Sequence, residues 1–381
     1  MKKVLINASV ASMIYKFNMN NIDILKNLGY QVDVACNFGK ENPIKKEEIE
    51  KFKSILRNKG INIYETNCPR NIYSIWKILK TYFQLKSLIE KANYDLIHTQ
   101  SPIGGVICRL AARKIRRKGM KLIYTAHGFH FYKGSSIINW LVFYPIEKLC
   151  SKFTDLIITI NKEDFKLVKE KFLHTKVKYI PGIGIDIEKF KDGLGLNNKK
   201  RKLDSLNIPE DKYIILSIGE LNRNKNHTSV IQAISKSKNK SNICYLIAGN
   251  GLLNKELSEL ANSLGVNLLL LNYRNDIIDL LSIADLFIHP SYREGLPVSV
   301  MEAIAAKRIV LASNIRGNVD LVDKACLFEP SNIENLSRLI DKSIEGIFNF
   351  TIDNNYNNLQ NFDCHKINQE MKKIYENINY L

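Results

Sequence analysis

The 381-residue sequence contains no apolar run long enough to cross a bilayer: its most apolar stretch, Ile137 to Ile146, is interrupted by Asn139 and Pro145, and a spanning helix takes roughly twenty apolar residues. The opening Met1-Lys2-Lys3-Val4-Leu5-Ile6-Asn7 has too short an apolar part for a secretory signal and reads as a first buried strand. Its seven cysteines, at 36, 68, 108, 150, 244, 326 and 364, include no C-x-x-C pair. That excludes zinc-ribbon and thioredoxin-type sites and points to a reducing, cytoplasmic setting. There is no D-x-D cation motif and no G-x-G-x-x-G, because Gly249-Asn250-Gly251 lacks a glycine three residues on; the fingerprint of a nicotinamide dehydrogenase is therefore missing. Acidic residues are in deficit: 38 Asp and Glu against 56 Lys and Arg leave a formal charge of +18. Such an excess favours an anionic partner, whether nucleic acid, a phosphorylated substrate or an acidic membrane. No helix-turn-helix or RNA-binding signature accompanies the charge, so nucleic acid ranks below the other two.

What is present is an ordinary globular composition, 45% hydrophobic and 25% charged, in a chain long enough for two to three domains at roughly 150 residues each. Strand-like runs at Val4–Ile6, Val32–Ala35, Ile61–Tyr64, Leu96–Thr99, Leu122–Thr125, Leu156–Ile160 and Val177–Ile180 alternate with amphipathic stretches. Alternation of this kind predicts right-handed crossovers and a parallel sheet covered on both faces. After Pro181-Gly182 a polar, basic passage reads as a linker, and the alternation restarts with Tyr213–Ile218, Cys244–Ala248, Val266–Leu271, Leu286–His289 and Ile309–Ala312. The expectation is α/β architecture with two Rossmann-like, doubly wound parallel sheets. The first domain spans 1–188, the linker region 189–208 and the second domain 209–363, with an Asn-rich loop near Asn354–Asn361 and a last helix over about 364–381 packing back onto the first domain. Open α/β sheets bind ligands beyond the carboxyl ends of their strands, so a cleft between the two domains is the expected site.

The sharpest constellation follows the strand Leu286–His289: Ser291-Tyr292-Arg293-Glu294-Gly295-Leu296-Pro297-Val298-Ser299-Val300-Met301-Glu302. Glu294 falls at the strand end, Gly295 and Pro297 allow a tight turn, and the opening amides of the next helix can face an anion. Taken in isolation the two glutamates are equally a loop acid and a solvated helix residue. In order along the chain stand also Gly219-Glu220-Leu221-Asn222-Arg223-Asn224-Lys225-Asn226-His227, Leu246-Ile247-Ala248-Gly249-Asn250-Gly251, Tyr273-Arg274-Asn275-Asp276 and Ser313-Asn314-Ile315-Arg316-Gly317-Asn318. The first half adds Leu96-Ile97-His98-Thr99-Gln100, Tyr124-Thr125-Ala126-His127-Gly128 and Ile180-Pro181-Gly182-Ile183-Gly184-Ile185-Asp186. Together these segments resemble the retaining glycosyltransferase family 4, of GT-B fold, most closely its capsule and exopolysaccharide enzymes.

The resemblance implies a cytoplasmic enzyme, peripheral on the inner face of the cell membrane. It would move a sugar from a nucleoside-diphosphate donor, a UDP-hexose or UDP-N-acetylhexosamine, to a polyprenyl-diphosphate-linked saccharide. Lys225, Glu294 and His127 are the implied catalytic residues: Lys225 neutralises the leaving diphosphate, Glu294 contacts donor-sugar hydroxyls and His127 faces that sugar. Implied donor-binding residues are Arg223, Gly249, Gly251, Tyr273, Arg274, Gly295, Leu296, Pro297, Val298 and Glu302, the last accepting from the ribose diol, as an ionised carboxylate can. Ser9, Ser12 and His98 are placed on the acceptor side, with His98 equally readable as a satisfied strand-end histidine. Three departures from the family stand out: Glu220 occupies a position where many relatives carry arginine, glycines are missing from the loop after the first strand, and Gly182 stands where relatives often have asparagine. Arg223 is then either a substitute guanidinium or a solvated loop cation. No divalent metal and no other cofactor is expected, since His127 and His130 have no third ligand nearby and zinc needs three or four.

Arg109, Arg113, Lys114, Arg116, Arg117, Lys118 and Lys121 crowd one helix and its exit, and aromatics with flanking cations follow over 129–144. Both are expected to meet an acidic membrane surface; the competing expectation is that the aromatics pack in a core. The rival functions are a non-catalytic sugar-nucleotide binder and a nucleic-acid-binding protein.

Overall fold

A computed structural model describes residues 1–39, 41–190 and 196–380. Its chain divides into two compact units, Met1–Ile183 with His365–Leu381, and Gly184–Cys364. The first unit holds a seven-stranded sheet in the order β3-β2-β1-β4-β5-β6-β7. Its strands are β1 Lys3–Val10, β2 Gln31–Asn37, β3 Asn62–Glu65, β4 Leu96–Gln100, β5 Lys121–Ala126, β6 Leu156–Thr159 and β7 Lys176–Tyr179. The second holds six, in the order β10-β9-β8-β11-β12-β13, from β8 Tyr213–Ile218, β9 Ile243–Ala248, β10 Leu268–Leu270, β11 Leu286–His289, β12 Ile309–Ser313 and β13 Leu327–Phe328. All pairings between these strands are parallel. All twelve strand-like runs of the sequence are strands here; β13, two residues long, has too little periodicity to be read.

The central strands are buried throughout because both faces are covered by helices: β9 is buried over its whole length, as are β4 and β12. Strand order reverses between β1 and β4 in one sheet and between β8 and β11 in the other, and such switch points open crevices at the carboxyl ends of the strands. The loops gathered there in the first unit follow β1, β4 and β5; in the second they follow β8, β9, β11 and β12.

Two expectations need correction. The linker expected over 189–208 is largely structured: residues 191–195 lie outside the described residues, but a 3₁₀ turn covers Ile187–Phe190 and a helix covers Leu196–Ser205. Lys202 pairs with Asp276 and Asp279 beside the helix Ile277–Ile283, while Leu203 and Ile208 enter the second unit's core. The basic residues that made this passage read as a linker are the solvent side of an amphipathic helix. The Asn-rich stretch near Asn354–Asn361 is also not a loop, since a helix runs Asn349–Leu359 and a 3₁₀ turn follows. Its asparagines replace loop hydration with specific bonds: Asn355 accepts from the Asp323 amide at 2.8 Å and Asn358 donates to the Asp320 carbonyl at 2.9 Å. The closing helix Cys364–Glu376 then buries Ile367, Met371, Ile374 and Tyr375 in the first unit's core.

Candidate functional site

In the second unit the loops after β8 and β11 are laced together. Asn222 accepts from the Lys225 amide at 3.0 Å and closes a 3₁₀ turn, Arg223–Lys225. Asn224 donates to the Arg293 carbonyl at 3.0 Å and accepts from the Tyr292 amide at 2.8 Å. This frame brings the Lys225 ammonium 2.7 Å from Glu294 Oε1, so two of the three implied catalytic residues form one ion pair. His289, buried at the end of β11, stands 3.2 Å from the same oxygen. Burial on its own would push the Glu294 carboxyl up, but His289 and Lys225 outweigh it and hold the group well below the usual carboxylate range. Burial lowers His289, with the Glu294 carboxylate pulling the other way. Arg316 props the loop from below, its Nε donating to the Glu294 carbonyl at 3.2 Å, and Gly317, at φ +85°, lets the Arg316 loop approach Gly295, where a Cβ would come within 2.5 Å of the carbonyl oxygen.

Gly295 and Leu296 lead into Pro297, the N-cap of the helix Val298–Ala305, and no side chain caps that end. Its first amides, Val298 among them, are left for another acceptor. Glu302 lies in the second turn of this helix. Burial raises its carboxyl to about 7, with no cation or donor among the described residues to offset the penalty. A half-buried carboxylate without partners is costly and is suited to accept from paired hydroxyls.

Gly249 and Gly251 serve the frame. A Cβ on Gly249 would sit 1.9 Å from the Gly219 carbonyl oxygen, and one on Gly251 2.3 Å from that of Leu221. The bonds Gly219 N to Ala248 O and Leu221 N to Asn250 O, at 3.0 and 2.9 Å, fasten the turn after β9 under the Lys225 loop. Other donor-side candidates stand apart from the ion pair. Tyr273 is exposed, Arg274 is engaged in a bidentate pair with Asp276, and Arg223 and Glu220 both point to solvent.

In the first unit His127 lies just past β5, partly buried, with Phe17 against its ring at 5.3 Å. Its Nε2 is 2.6 Å from Gln100 Oε1, while Gln100 Nε2 donates to Asn18 Oδ1. Because an amide oxygen only accepts, Nε2 must carry the proton, and Nδ1 is left as the acceptor. Burial pushes this histidine down to about 4, so the ring is neutral near pH 7. The acceptor-side expectations are corrected. His98 is fully buried, with Nδ1 2.8 Å from the Tyr375 hydroxyl and Nε2 2.8 Å from Thr125 Oγ1; it fastens the closing helix to β4. Ser9 is buried, and its hydroxyl accepts from the Gly104 amide at 2.9 Å, capping the helix Pro102–Arg116 from a neighbouring strand. Ser12 is buried in the first turn of the helix Ala11–Phe17, which follows β1 directly.

Against known proteins, residues 3–161 match the model of the family described as glycosyl transferase 4-like, and residues 198–348 that of glycosyl transferases group 1. A Bacillus subtilis protein provisionally assigned as glycosyltransferase EpsD is 34% identical over 84% of this chain and 81% of its own. The chain belongs to the group 1, type 4-like glycosyltransferases. This glycosyltransferase is also 27% identical, over 96% of its length and 93% of the relative's, to the Escherichia coli UDP-Gal:α-D-GlcNAc-diphosphoundecaprenol α-1,3-galactosyltransferase. It shares its GT-B fold with Anabaena HepE, solved in complex with UDP and glucose, at a TM-score of 0.74, 21% identity and full coverage of both chains.

Three residues of the glycosyltransferase that sequence reading did not assign, His289, Arg316 and Gln100, are the polar supports of Glu294 and His127. The only signal they carried was position at a strand end or in a loop beside a recognised motif. The basic helix is less available than its composition implied. Arg109 is fully buried, its Nη2 donating to Glu147 at 2.7 Å and its guanidinium 3.9 Å above the Tyr124 ring, and Arg116 is bidentate to Asp155. Arg113, Lys114, Arg117 and Lys118 remain exposed. The aromatics of 129–144 turn inward too, with Phe129 and Phe131 stacked in a buried cluster against Trp140 and Tyr144. The exposed face of the helix Ile137–Ser151 is instead aliphatic: Ile137, Ile138, Leu141 and Leu149 are each at least half exposed.

Proposed function

We propose that this glycosyltransferase moves a hexose or N-acetylhexosamine from a UDP donor to a polyprenyl-diphosphate-linked saccharide, in the synthesis of a capsule, exopolysaccharide or other surface polysaccharide. The observation that carries the donor site is Glu302, a half-buried carboxylate with no partner among the described residues, in a helix whose uncapped start follows the Lys225–Glu294 pair. A ribose diol supplies the donors Glu302 lacks, the free helix amides suit a diphosphate, and Lys225 supplies charge to it. The galactosyltransferase relative, named for a UDP donor and a diphosphoundecaprenol acceptor, and HepE, solved with UDP, support this reading.

In the proposed step the acceptor oxygen bonds to the anomeric carbon on the face from which the carbon–phosphate oxygen bond breaks, with retention. The bonding pair leaves with the diphosphate, whose oxygen takes the acceptor proton. Lys225 stabilises the charge on the departing group, Glu294 holds sugar hydroxyls, and His127 accepts from a hydroxyl of the same sugar through Nδ1. These groups and the helix amides carry the neutralisation assigned elsewhere to a divalent metal. The exposed aliphatic face of 137–149 and the exposed cations of 109–121 are proposed to hold the enzyme at the acidic inner surface of the cell membrane. The test is a thermal-shift panel of UDP, GDP and ADP against wild type and Glu302→Ala without added metal. Stabilisation by UDP that Glu302→Ala weakens is the expected result; stabilisation by oligonucleotides and by no nucleotide overturns the proposal.

A further inference from the structure

Beside His127 lies a second feature that the donor chemistry does not use. A pocket of about 220 Å³ opens between the helices Ile75–Ala92, Pro102–Arg116 and Ile137–Ser151 and the segment Gly128–Phe131. Its lining is almost wholly apolar, with Ile78, Ile103, Val106, Phe143 and Ile146 among its walls. The single carboxylate on that lining, Glu147, is tied to Arg109 at 2.7 Å and lies 3.4 Å from the Tyr124 hydroxyl. No unpaired carboxylate is therefore offered to a ligand, and His130, also on the lining, stacks on Phe143 at 4.7 Å. The volume is below the roughly 300–1,000 Å³ that encloses a whole drug-sized molecule, so it suits a segment of hydrocarbon chain.

The two helices that flank the pocket carry apolar side chains on their outer faces as well. Trp76 is 85% exposed, Ile75 64%, Ile137 76% and Leu141 71%, all on the two helices that flank the pocket. Residues 75–86 contain no Asp or Glu, and 137–151 contain only the buried Glu147. The exposed cations within these stretches are Lys77, which is paired with Glu41 at 2.5 Å, and Lys80 and Lys148. Lys80 and Lys148 leave the flanking helices cationic beside their exposed apolar side chains, which complements a hydrocarbon that carries an anionic head. One wall of the pocket begins at Gly128, the residue after His127, while the His127 ring itself turns to Phe17 and Gln100.

Resting on the function proposed above, we infer that this pocket holds the first isoprenoid segment of the lipid-linked acceptor. The ligand is a polyprenyl chain whose diphosphate is left outside the pocket for Lys80 and Lys148 on the flanking helices, and the pocket fixes the acceptor by its lipid before its saccharide is read. A fatty acyl chain, such as membrane phospholipid carries, is the competing occupant that the test separates.

The protein's two tryptophans, Trp76 and Trp140, lie on the two flanking helices and give a direct readout. Titration of the full chain with farnesyl diphosphate below its aggregation limit is expected to give a saturable shift in tryptophan emission. Val106→Phe, which fills the pocket, and Ile146→Asp, which places a charge at its partly exposed rim, should each weaken binding at least tenfold while the UDP thermal shift is unchanged. Any of three results overturns the inference: no saturable shift, equal binding by both variants, or an equal response to inorganic diphosphate or palmitate. A UDP shift with no farnesyl response removes the pocket assignment and leaves the transferase reading. Loss of the UDP shift with farnesyl binding intact removes the donor reading and supports the hydrocarbon site.

Discussion

Lys225 and Glu294 pair at 2.7 Å, and Lys225 joins His289 in holding the Glu294 carboxyl down, so replacing the lysine changes both groups. Lys225→Ala removes the charge that the leaving diphosphate needs, and loss of one such preorganised group costs about 10²–10³ in kcat. The same change deprives Glu294 of a cation, so its carboxyl rises from below the normal range. Steady-state transfer rates should show kcat falling far more than KM rises, and a loss confined to KM would mean that Lys225 only binds donor. Glu302 has the opposite sign. Its folded carboxyl sits at about 7 against an ordinary 4.5, so between those values the unfolded chain has already released a proton that the folded one keeps, and stability falls as pH rises through that window. Glu302→Gln should therefore melt higher than wild type at pH 8, with the difference closing towards pH 4.5. UDP affinity of wild type should weaken as pH drops below about 7, because the protonated carboxyl loses acceptor capacity. At His127 the supporting residue is Gln100, whose Oε1 fixes the Nε2–H tautomer. Gln100→Glu keeps an acceptor but adds charge, which raises the histidine's pKa from about 4 and should add a histidine limb near neutral pH to the rate profile. An unchanged pH profile would show that Gln100 does not position the ring.

At the scale of elements, the donor site is a set of loops held by backbone bonds. The turn Gly249–Gly251 lies so close under Gly219–Leu221 that a Cβ at Gly249 would come to 1.9 Å from a carbonyl oxygen. Gly249→Ala must displace the Lys225 loop or strain β9, an overpacking cost of about 1–3 kcal/mol. Urea unfolding should report that loss, and activity should fall with it because the Asn222–Lys225 turn moves. The same elements explain what was legible beforehand. Glycine and proline mark the places where chain direction changes, so Gly249, Gly251, Gly295 and Pro297 announced the loops, and strands buried on both faces announced the sheets. Partnership between distant side chains has no local period. His289 and Arg316 matter because β11 and the loop after β12 come together around Glu294, and Arg109 reads as surface charge until the helix Ile137–Ser151 brings Glu147 against it. The helix Asn349–Leu359 was illegible for a related reason: asparagine disfavours helix interiors, and its cost here is offset by bonds to residues some thirty positions away.

For the whole molecule the decisive fact is that one unit is continuous in sequence and the other is not. Gly184–Cys364 carries its core within a single stretch, whereas the unit built on Met1–Ile183 is completed by the closing helix. Ile367, Met371, Ile374 and Tyr375 are each at most 5% exposed against that first unit. At about 1.5–3 kcal/mol per buried side chain they contribute on the order of 6–12 kcal/mol as an upper bound, which is comparable to the entire 5–15 kcal/mol stability of a typical domain. The hydroxyl of Tyr375 adds the bond to His98, and without it a buried imidazole nitrogen is left unsatisfied at a cost of about 1–3 kcal/mol. A chain ending at residue 363 should therefore lose the first unit and keep the second. Circular dichroism and limited proteolysis of 1–363 are expected to show a stable core mapping to Gly184 onward and a cleaved amino-terminal half. Adding a peptide of residues 364–381 in trans should restore protection to that half. Cooperative unfolding of both halves in the truncated chain would show instead that the two units do not fold as separate bodies.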